Sequence, residues 1–579
     1  MADSPDNMQQ QTSEESKAKD RAECRNPVRR AQPLRPRGPV GKKINTLHLL
    51  RPVALVHIPA QSQQGIDTVY LIRAGRIFME GKRFVSIAVI AFSSLMTAAQ
   101  AQTFTKLFSF DRRDGAGSQA GLIQGTGGNF YGTTSGGGAN GPYYGTVFEI
   151  TPSGTLTRLY SFCSESGCTD GTYPTGALIQ ATNGYFYGTT QNEGANDGGT
   201  VFEIAPGGRL KTLYNFCAQV VNQNCTDGEF PATGLVQATN GDLYGTTVGG
   251  GANGFYGTVF KIAPRGTLTT LYSFYSQNAS PGPCYASGLI QATNGNFYGT
   301  TLECGANDNA VGNGAGTVFE ITPSGTLTTL YSFCSQSGCT DGSAPDGALI
   351  QATDGNFYGT TRNGGTNDND TCISGGCGTI FQITLGGTLT TLYDFCSQLN
   401  CTDGANPSAA LIQATDGNFY GTTSESGANG WGTIFQITPG GTLTTLYSFC
   451  SQSGCTDGQL PFAGLVQATN GDFYGTTYNG GTSSNCYDGC GTVFSLSTGL
   501  GPFVETQTTA GKVGTAVKIL GTDLTGATSV SFNGAAAAFT VVSPSLITTR
   551  VPAGASTGTA QVVTPSGTLS SNVPFRVLP

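Results

Sequence analysis

The sequence predicts an all-β chain: a seven-bladed β-propeller closed by an N-terminal strand, followed by an immunoglobulin-like β-sandwich. Three observations predict it. A block such as "DGNFYGTT" (Asp354–Thr361) recurs with its Tyr at positions 131, 187, 244, 298, 358, 420 and 474. Self-similarity at intervals of 54 to 62 residues marks a repeat architecture. Each unit holds four short strand-like runs, and the set is circularly permuted.

In the fifth unit the runs are "ALIQAT" (Ala348–Thr353), "NFYGTT" (Asn356–Thr361), "GTIFQIT" (Gly378–Thr384) and "TLTTLYDF" (Thr388–Phe395). The second and fourth concentrate aromatic and β-branched residues, as strands do. Asp-Gly or Asn-Gly between the first two signals a tight hairpin. A Pro/Gly turn such as "TPSGT" (Thr322–Thr326) joins the last two. Four antiparallel strands in each of seven units describe a propeller. The seventh unit stops after "GTVFSL" (Gly491–Leu496), whereas "TFTKLFSF" (Thr103–Phe110) is a spare fourth strand ahead of the first unit. That strand is expected to complete the last blade and remove an exposed edge. An open solenoid would need capping repeats instead. The recurrent motif then builds the fold, with Phe and Tyr on alternate faces and Gly allowing neighbouring blades to approach. A Tyr-based binding platform is its other reading.

The first hundred residues differ in kind. All four Met, both His and 15 of the 28 basic residues lie there. "MEGKRFVSIAVIAFSSLMTAAQAQ" (Met79–Gln102) has a basic start at Lys82 and Arg83, an apolar run Phe84–Met96 and an A-x-A site at Ala99–Ala101. This is the layout of a secretory signal peptide over 79–101. Residues 1–78, including "RRAQPLRPRGPVGKK" (Arg29–Lys43), read as a disordered leader or an over-called start. A cytoplasmic tail with a signal anchor is the competing reading, but residues 84–101 are only marginally long enough to span a bilayer. From Gln102 onward there are 13 basic and 28 acidic residues, a net of −15, which excludes nucleic acid as a partner. The expected location is secreted or at the cell surface, with the periplasm as a further compartment and no membrane span in the mature chain.

Loss of the leader removes Cys24 and leaves 16 of the 17 Cys, an even set in an exported chain. Seven close pairs stand out: Cys163/Cys168, Cys217/Cys225, Cys334/Cys339, Cys372/Cys377, Cys396/Cys401, Cys450/Cys455 and Cys486/Cys490. Cys284 and Cys304 remain, in loops on the same predicted face. Disulfides are expected, because the spacings are not those of zinc ligands and the mature chain lacks His.

Strand alternation places the short first-to-second and third-to-fourth turns on one face. The long, variable second-to-third and fourth-to-first loops lie on the other, where function usually sits. Five carboxylates in "CTDG" or its like, Asp170, Asp227, Asp341, Asp403 and Asp457, read either as a ring for Ca2+ or sugar or, as expected, as Asp-Gly turns. Asp368 and Asp370 in "TNDNDTC" (Thr366–Cys372) have Asp-x-Asp spacing that suits Ca2+, but the rest of a Ca2+ loop is missing. The single Trp, Trp431, either stacks on a sugar or packs. "SGGGANG" (Ser135–Gly141) precedes a strand rather than a helix, so it reads as a turn, not a phosphate cradle. No His remains for general-base work, and no carboxylate pair breaks the repeat.

Residues 501–579 read as six or seven alternating strands, an immunoglobulin-like sandwich without a disulfide or Trp. The repeat "LIQATNGNFYGTT…GTVFEITPSGTLTTLYSF" over 103–497 resembles the GloVer tandem repeat of bacterial "choice-of-anchor" surface proteins. "DGNFYGTT" also resembles the "DGxLWIGT" blade of sensor-kinase propellers. "VGTAVKILGTDLTGATSVSFNG" (Val513–Gly534) and the residues to Thr568 are similar to IPT/TIG domains. These resemblances imply an extracellular or surface protein and bring no catalytic residues. The expectation is a non-enzymatic protein that binds glycan or another surface component. An exported carbohydrate-active hydrolase or lyase and a structural surface-layer component are the alternatives.

Overall fold

The computed structural model describes residues 102–579 apart from 276–283, 308–313, 368–371 and 373–374. The leader, the export signal and the Asp368/Asp370 pair lie outside these described residues. Seven four-stranded antiparallel sheets follow one another, six of them ordered as in the sequence from first strand to fourth. In the fifth blade the strands are Ile350–Gln351, Phe357–Thr361, Thr379–Ile383 and Leu389–Asp394. In the seventh blade Thr103–Ser109 pairs antiparallel with Thr492–Ser497 and supplies the missing fourth strand. The N-terminal strand therefore closes the ring.

The first strand is shorter than its sequence suggests, two residues in every blade. The reason lies in its Gln, whose side chain is used between blades. Gln351 accepts from Thr293 N of the preceding blade at 2.8 Å and donates to Gly355 O at 3.1 Å. The same inter-blade bond occurs seven times at 2.8–3.1 Å, and the last, Thr469 N to Gln124 Oε1, closes the circle. The turn after this strand holds Gly355 at φ 86°, so glycine is needed there.

The recurrent motif is used up by the same ring. Its Phe and Tyr are both buried, because each blade is covered on both faces by neighbours. The Tyr358 ring packs at a tilt on Phe419 of the next blade at 4.1 Å, and Tyr474 reaches Phe130 at 4.0 Å to complete the turn. Only Tyr187 meets a Leu, Leu243, instead of a Phe. The second Thr pairs with the first Thr of the third strand at 2.8–2.9 Å in all seven blades. The first Thr donates to a carbonyl of the next blade, as Thr360 does to Ala409 O at 3.1 Å. The motif Gly has a different job from the one expected. A Cβ at Gly359 would lie 2.7 Å from Phe381 Cζ and 2.9 Å from Leu349 Cδ2, both of its own blade. The glycine makes room for a ring lying across the blade, not for the neighbouring blade.

The C-terminal sandwich packs Glu505–Thr506, Ala516–Leu520, Leu546–Arg550 and Phe539–Ser543 against Ala535–Ala537, Ser529–Phe532, Ala560–Thr564 and Gly567–Ser570. Val517, Ile519, Phe532, Ile547, Val562 and Phe575 fill its core. It docks on the short-turn face of the propeller. Phe503 N bonds Thr469 O at 3.0 Å, Ser545 Oγ bonds Thr126 O at 3.2 Å, and Lys518 Nζ bonds Thr182 O at 3.1 Å. Asn572 Nδ2 adds a bond to Gln413 O at 2.8 Å. The long-loop face is thereby left as the open one. Among the described residues no helix is long and apolar enough to cross a membrane.

Candidate binding face

The five "CTDG" carboxylates do not ring a channel mouth. All are fully buried inside their own loops. Asp403 accepts from Tyr393 OH at 2.9 Å, Ser397 N at 3.0 Å, Ser397 Oγ at 3.2 Å and Gln398 N at 3.3 Å. Asp227 makes the corresponding contacts with Tyr214, Ala218 and Gln219. Each carboxylate thus ties the end of a fourth strand to the loop that follows. Burial pushes the Tyr393 phenol up to about 12, with Ser397 opposing and Asp403 adding to the rise, so it stays a donor at ordinary pH.

Eight disulfides brace these loops. Cys163 is bonded to Cys168, Cys217 to Cys225, Cys334 to Cys339 and Cys372 to Cys377. Cys396 is bonded to Cys401, Cys450 to Cys455, Cys486 to Cys490, and Cys284 to Cys304 across two loops. The surroundings of five of these sulfurs differ from the expectation of long, variable loops on a working face. Cys168, Cys339, Cys401 and Cys455 each end the same 3-10 turn, namely Ser166–Cys168, Ser337–Cys339, Leu399–Cys401 and Ser453–Cys455. All four take a left-handed backbone, at φ 50–52°. Cys490 is 1% exposed and packs in the core with Phe110 and Val493. These five cysteines therefore belong to the frame of the loops. The physical reason is that a short disulfide loop must turn back tightly, which fixes one conformation in every blade that has it.

Among the described residues two sets of side chains have metal-like proximity, Cys372/Cys377/Cys396 and Cys217/Cys225/Glu229. Every sulfur in them belongs to a disulfide, so neither set offers a thiolate. Glu229 is itself unusual: buried, with Oε1 lacking a hydrogen-bond partner. Burial raises its pKa, against a backbone hydrogen bond from Gly250.

The long-loop face is studded with exposed aromatic rings. Tyr143, Phe255, Trp431 and Tyr487 come from second-to-third loops, Tyr275 and Tyr285 from the fourth-to-first loop of one blade pair. Trp431 is 41% exposed, so it is not consumed by packing. Among the described residues of the propeller, only Leu385 is a large exposed apolar side chain on a short turn. Sequence patterning did not reveal this, because these rings stand outside the repeat motif. Their signal was the failure of the loops to repeat.

Around the mouth of the channel one position per blade takes a left-handed backbone: Gly117, Tyr173, Phe230, Tyr285, Ala344, Asn406 and Leu460, at φ 47–66°. Its carbonyl accepts, at 2.9–3.2 Å, from the residue that follows the Thr-Thr pair. The backbone is the same in every blade and the side chains are not. One blade carries charge here. Asp346 is exposed to solvent yet crowded by protein, which raises its pKa, and the Arg362 charge opposes that rise. Nothing in the repeat motif marks this pair, because Asp346 and Arg362 stand at positions where the other blades carry uncharged residues.

Models of known families match this chain over nearly all of the described residues. The Gloeobacter/Verrucomicrobia repeat matches 94–223, 218–373 and 370–528, and the IPT/TIG domain matches 502–577. The chain belongs to the Gloeobacter/Verrucomicrobia repeat family. No curated protein sequence matches this repeat protein. Among solved structures it is similar to a fungal alcohol oxidase of the AA5 family in complex with copper. That match has 12% identity and a TM-score of 0.47, and covers 82% of this chain and 99% of the other. A putative oxidoreductase (glucose dehydrogenase) from Thermus thermophilus matches at 16% identity and a TM-score of 0.34, over 56% of this chain and 96% of its own. A protein of unknown function from Bacteroides thetaiotaomicron matches at 13% identity and a TM-score of 0.32, over 55% and 72%. None is close enough to lend this repeat protein an activity.

Proposed function

We propose that the chain is an exported binding protein, secreted or held at the cell surface, that grips a glycan or another surface component through the long-loop face and performs no chemistry on it. One observation carries this reading: six exposed aromatic side chains gathered on one face of a scaffold whose other described aromatics are buried or half-buried. Rigid rings at a surface supply contact area at little entropic cost and stack on the apolar faces of sugars. Disulfides brace the loop of Tyr487 and the loop of Tyr275 and Tyr285, which lowers the ordering cost of binding there. The sandwich leaves this face free. Catalysis by the loop carboxylates is disfavoured, because all five are buried and fully engaged.

The test uses the oxidised full chain, with and without Ca2+, passed over immobilised polysaccharides and cell-wall fractions. The same mixtures are assayed for new reducing ends and unsaturated products. Retention without product supports the binding reading. Product formation overturns it, and absence of both favours a purely structural surface component.

A further inference from the structure

The rim of the channel changes character at the junction of the fifth and sixth blades. Three places per blade meet there. The first lies five residues before the ring Gln, the second follows the Thr-Thr pair, and the third is the left-handed residue of the next blade. At the first junction these are Gln119, Ser135 and Tyr173, and Gln119 Nε2 lies 3.5 Å from both Ser135 Oγ and Tyr173 OH. At the seventh they are Phe462, Tyr478 and Gly117. There the two rings lie edge to face at 5.6 Å, and a Cβ on Gly117 would lie 2.7 Å from Tyr478 Cε2. The three places are therefore neighbours wherever the repeat sets them.

At the fifth junction the same places hold Asp346, Arg362 and Asn406. Asp346 and Arg362 are exposed. Asn406 is 4% exposed, and its Oδ1 has no hydrogen-bond partner. The amide is held by its backbone, with Asn406 N on Cys377 O at 2.9 Å and Ser424 Oγ on Asn406 O at 2.9 Å. A buried acceptor without a partner is costly and rare, and points to a donor that arrives from outside. The carboxylate and guanidinium cancel in charge, so neither an anion nor a cation is selected. Acceptors, a forked donor and no net charge suit a neutral pyranose, which presents adjacent hydroxyls.

We propose that Asp346, Arg362 and Asn406 form a subsite for a neutral sugar carrying adjacent hydroxyls. Asp346 and Asn406 Oδ1 accept from the hydroxyls, and Arg362 donates to a hydroxyl or ring oxygen. This rests on the reading of the long-loop face as a glycan-binding surface and gives it a location and a sugar class.

The experiment presents the oxidised full chain with neutral hexose and N-acetylhexosamine oligosaccharides, and with uronic-acid oligosaccharides for comparison. The tightest probe is then titrated against Asp346→Asn, Arg362→Gln and Asn406→Gly, with Trp431→Ala and Tyr487→Ala as variants of the outer loops. Each rim variant is expected to weaken a neutral probe by about tenfold or more. Asn406→Gly suits the left-handed backbone and removes the orphan acceptor. Its unliganded thermal midpoint is expected to rise, while the rise on adding sugar disappears. Neutral-sugar binding lost only in Trp431→Ala or Tyr487→Ala, with the rim variants within about twofold of wild type, overturns the subsite and leaves the glycan-binding face standing. Preference for uronic acids overturns the neutral class. Failure of every sugar to bind removes both readings.

Discussion

Asp403 shows how a single residue carries a loop. Its two oxygens take four donors from one strand end and the turn beyond it, with no solvent in contact. Asp403→Ala would strand those donors in a buried site, at about 2–3 kcal/mol. A denaturant midpoint within error of wild type would refute that role. Glu229 is the opposite case, a buried carboxylate with one oxygen unpaired. Burial raises its pKa, so the folded chain holds this proton more tightly than the unfolded chain does. Stability from this site is therefore highest at low pH and falls as pH rises from the ordinary carboxylate range through the raised value. Glu229→Gln is expected to raise the melting temperature at about pH 7 and to leave it unchanged at about pH 3. Parallel curves for the two proteins across that range would show that Glu229 titrates normally.

At the scale of the strand, the motif glycine is the informative position. A Cβ at Gly421 would lie 2.6 Å from Phe435 Cζ and 2.8 Å from Leu411 Cδ2, both well-packed groups of the same blade. Gly421→Ala is expected to cost about 1–3 kcal/mol by overpacking. The alternative, a glycine kept only for backbone freedom, predicts no loss, because this residue is not among the positive-φ positions. Chemical denaturation of the one variant separates the two. The Thr-Thr pair behaves similarly. Its polar atoms are all spent inside and between blades, so a motif rich in hydroxyls exposes none of them for binding.

Across the whole molecule, closure depends on one strand from the far end of the chain. Phe104 stacks on Tyr447 at 3.8 Å, and Phe110 is fully buried against Phe148 at 5.2 Å. Three circular networks, of Gln side chains, Thr side chains and stacked rings, cross the same junction between the last blade and the first. Removing residues 102–110 would expose the edge of Thr492–Ser497 and open the ring. The expected result is a lower melting temperature with concentration-dependent association by light scattering, reversed by a synthetic peptide of sequence TFTKLFSF. A truncated protein that stays monomeric and equally stable would mean that the ring holds without its closing strand. The sandwich reinforces the same sector, since it bonds to the sixth, seventh, first and second blades.

The sequence by itself determined the number of blades, the closing strand and the separation of short turns from long loops. These follow from local periodicity, and the period of the Tyr and the truncation of Gly491–Leu496 express it directly. Cysteine spacing likewise reflects short loops that the chain closes on its own. Tertiary structure decided three things that no local pattern carries. Burial of Asp170, Asp227, Asp341, Asp403 and Asp457 depends on loops folding back over them. Exposure of Trp431 and its fellow aromatics depends on what the neighbouring blade leaves uncovered. The meeting of Asp346, Arg362 and Asn406 joins residues of two blades that share no motif. Repeats record what every blade must do to stack on the next. A binding site, built where the blades differ, becomes visible only once the ring has set those differences side by side.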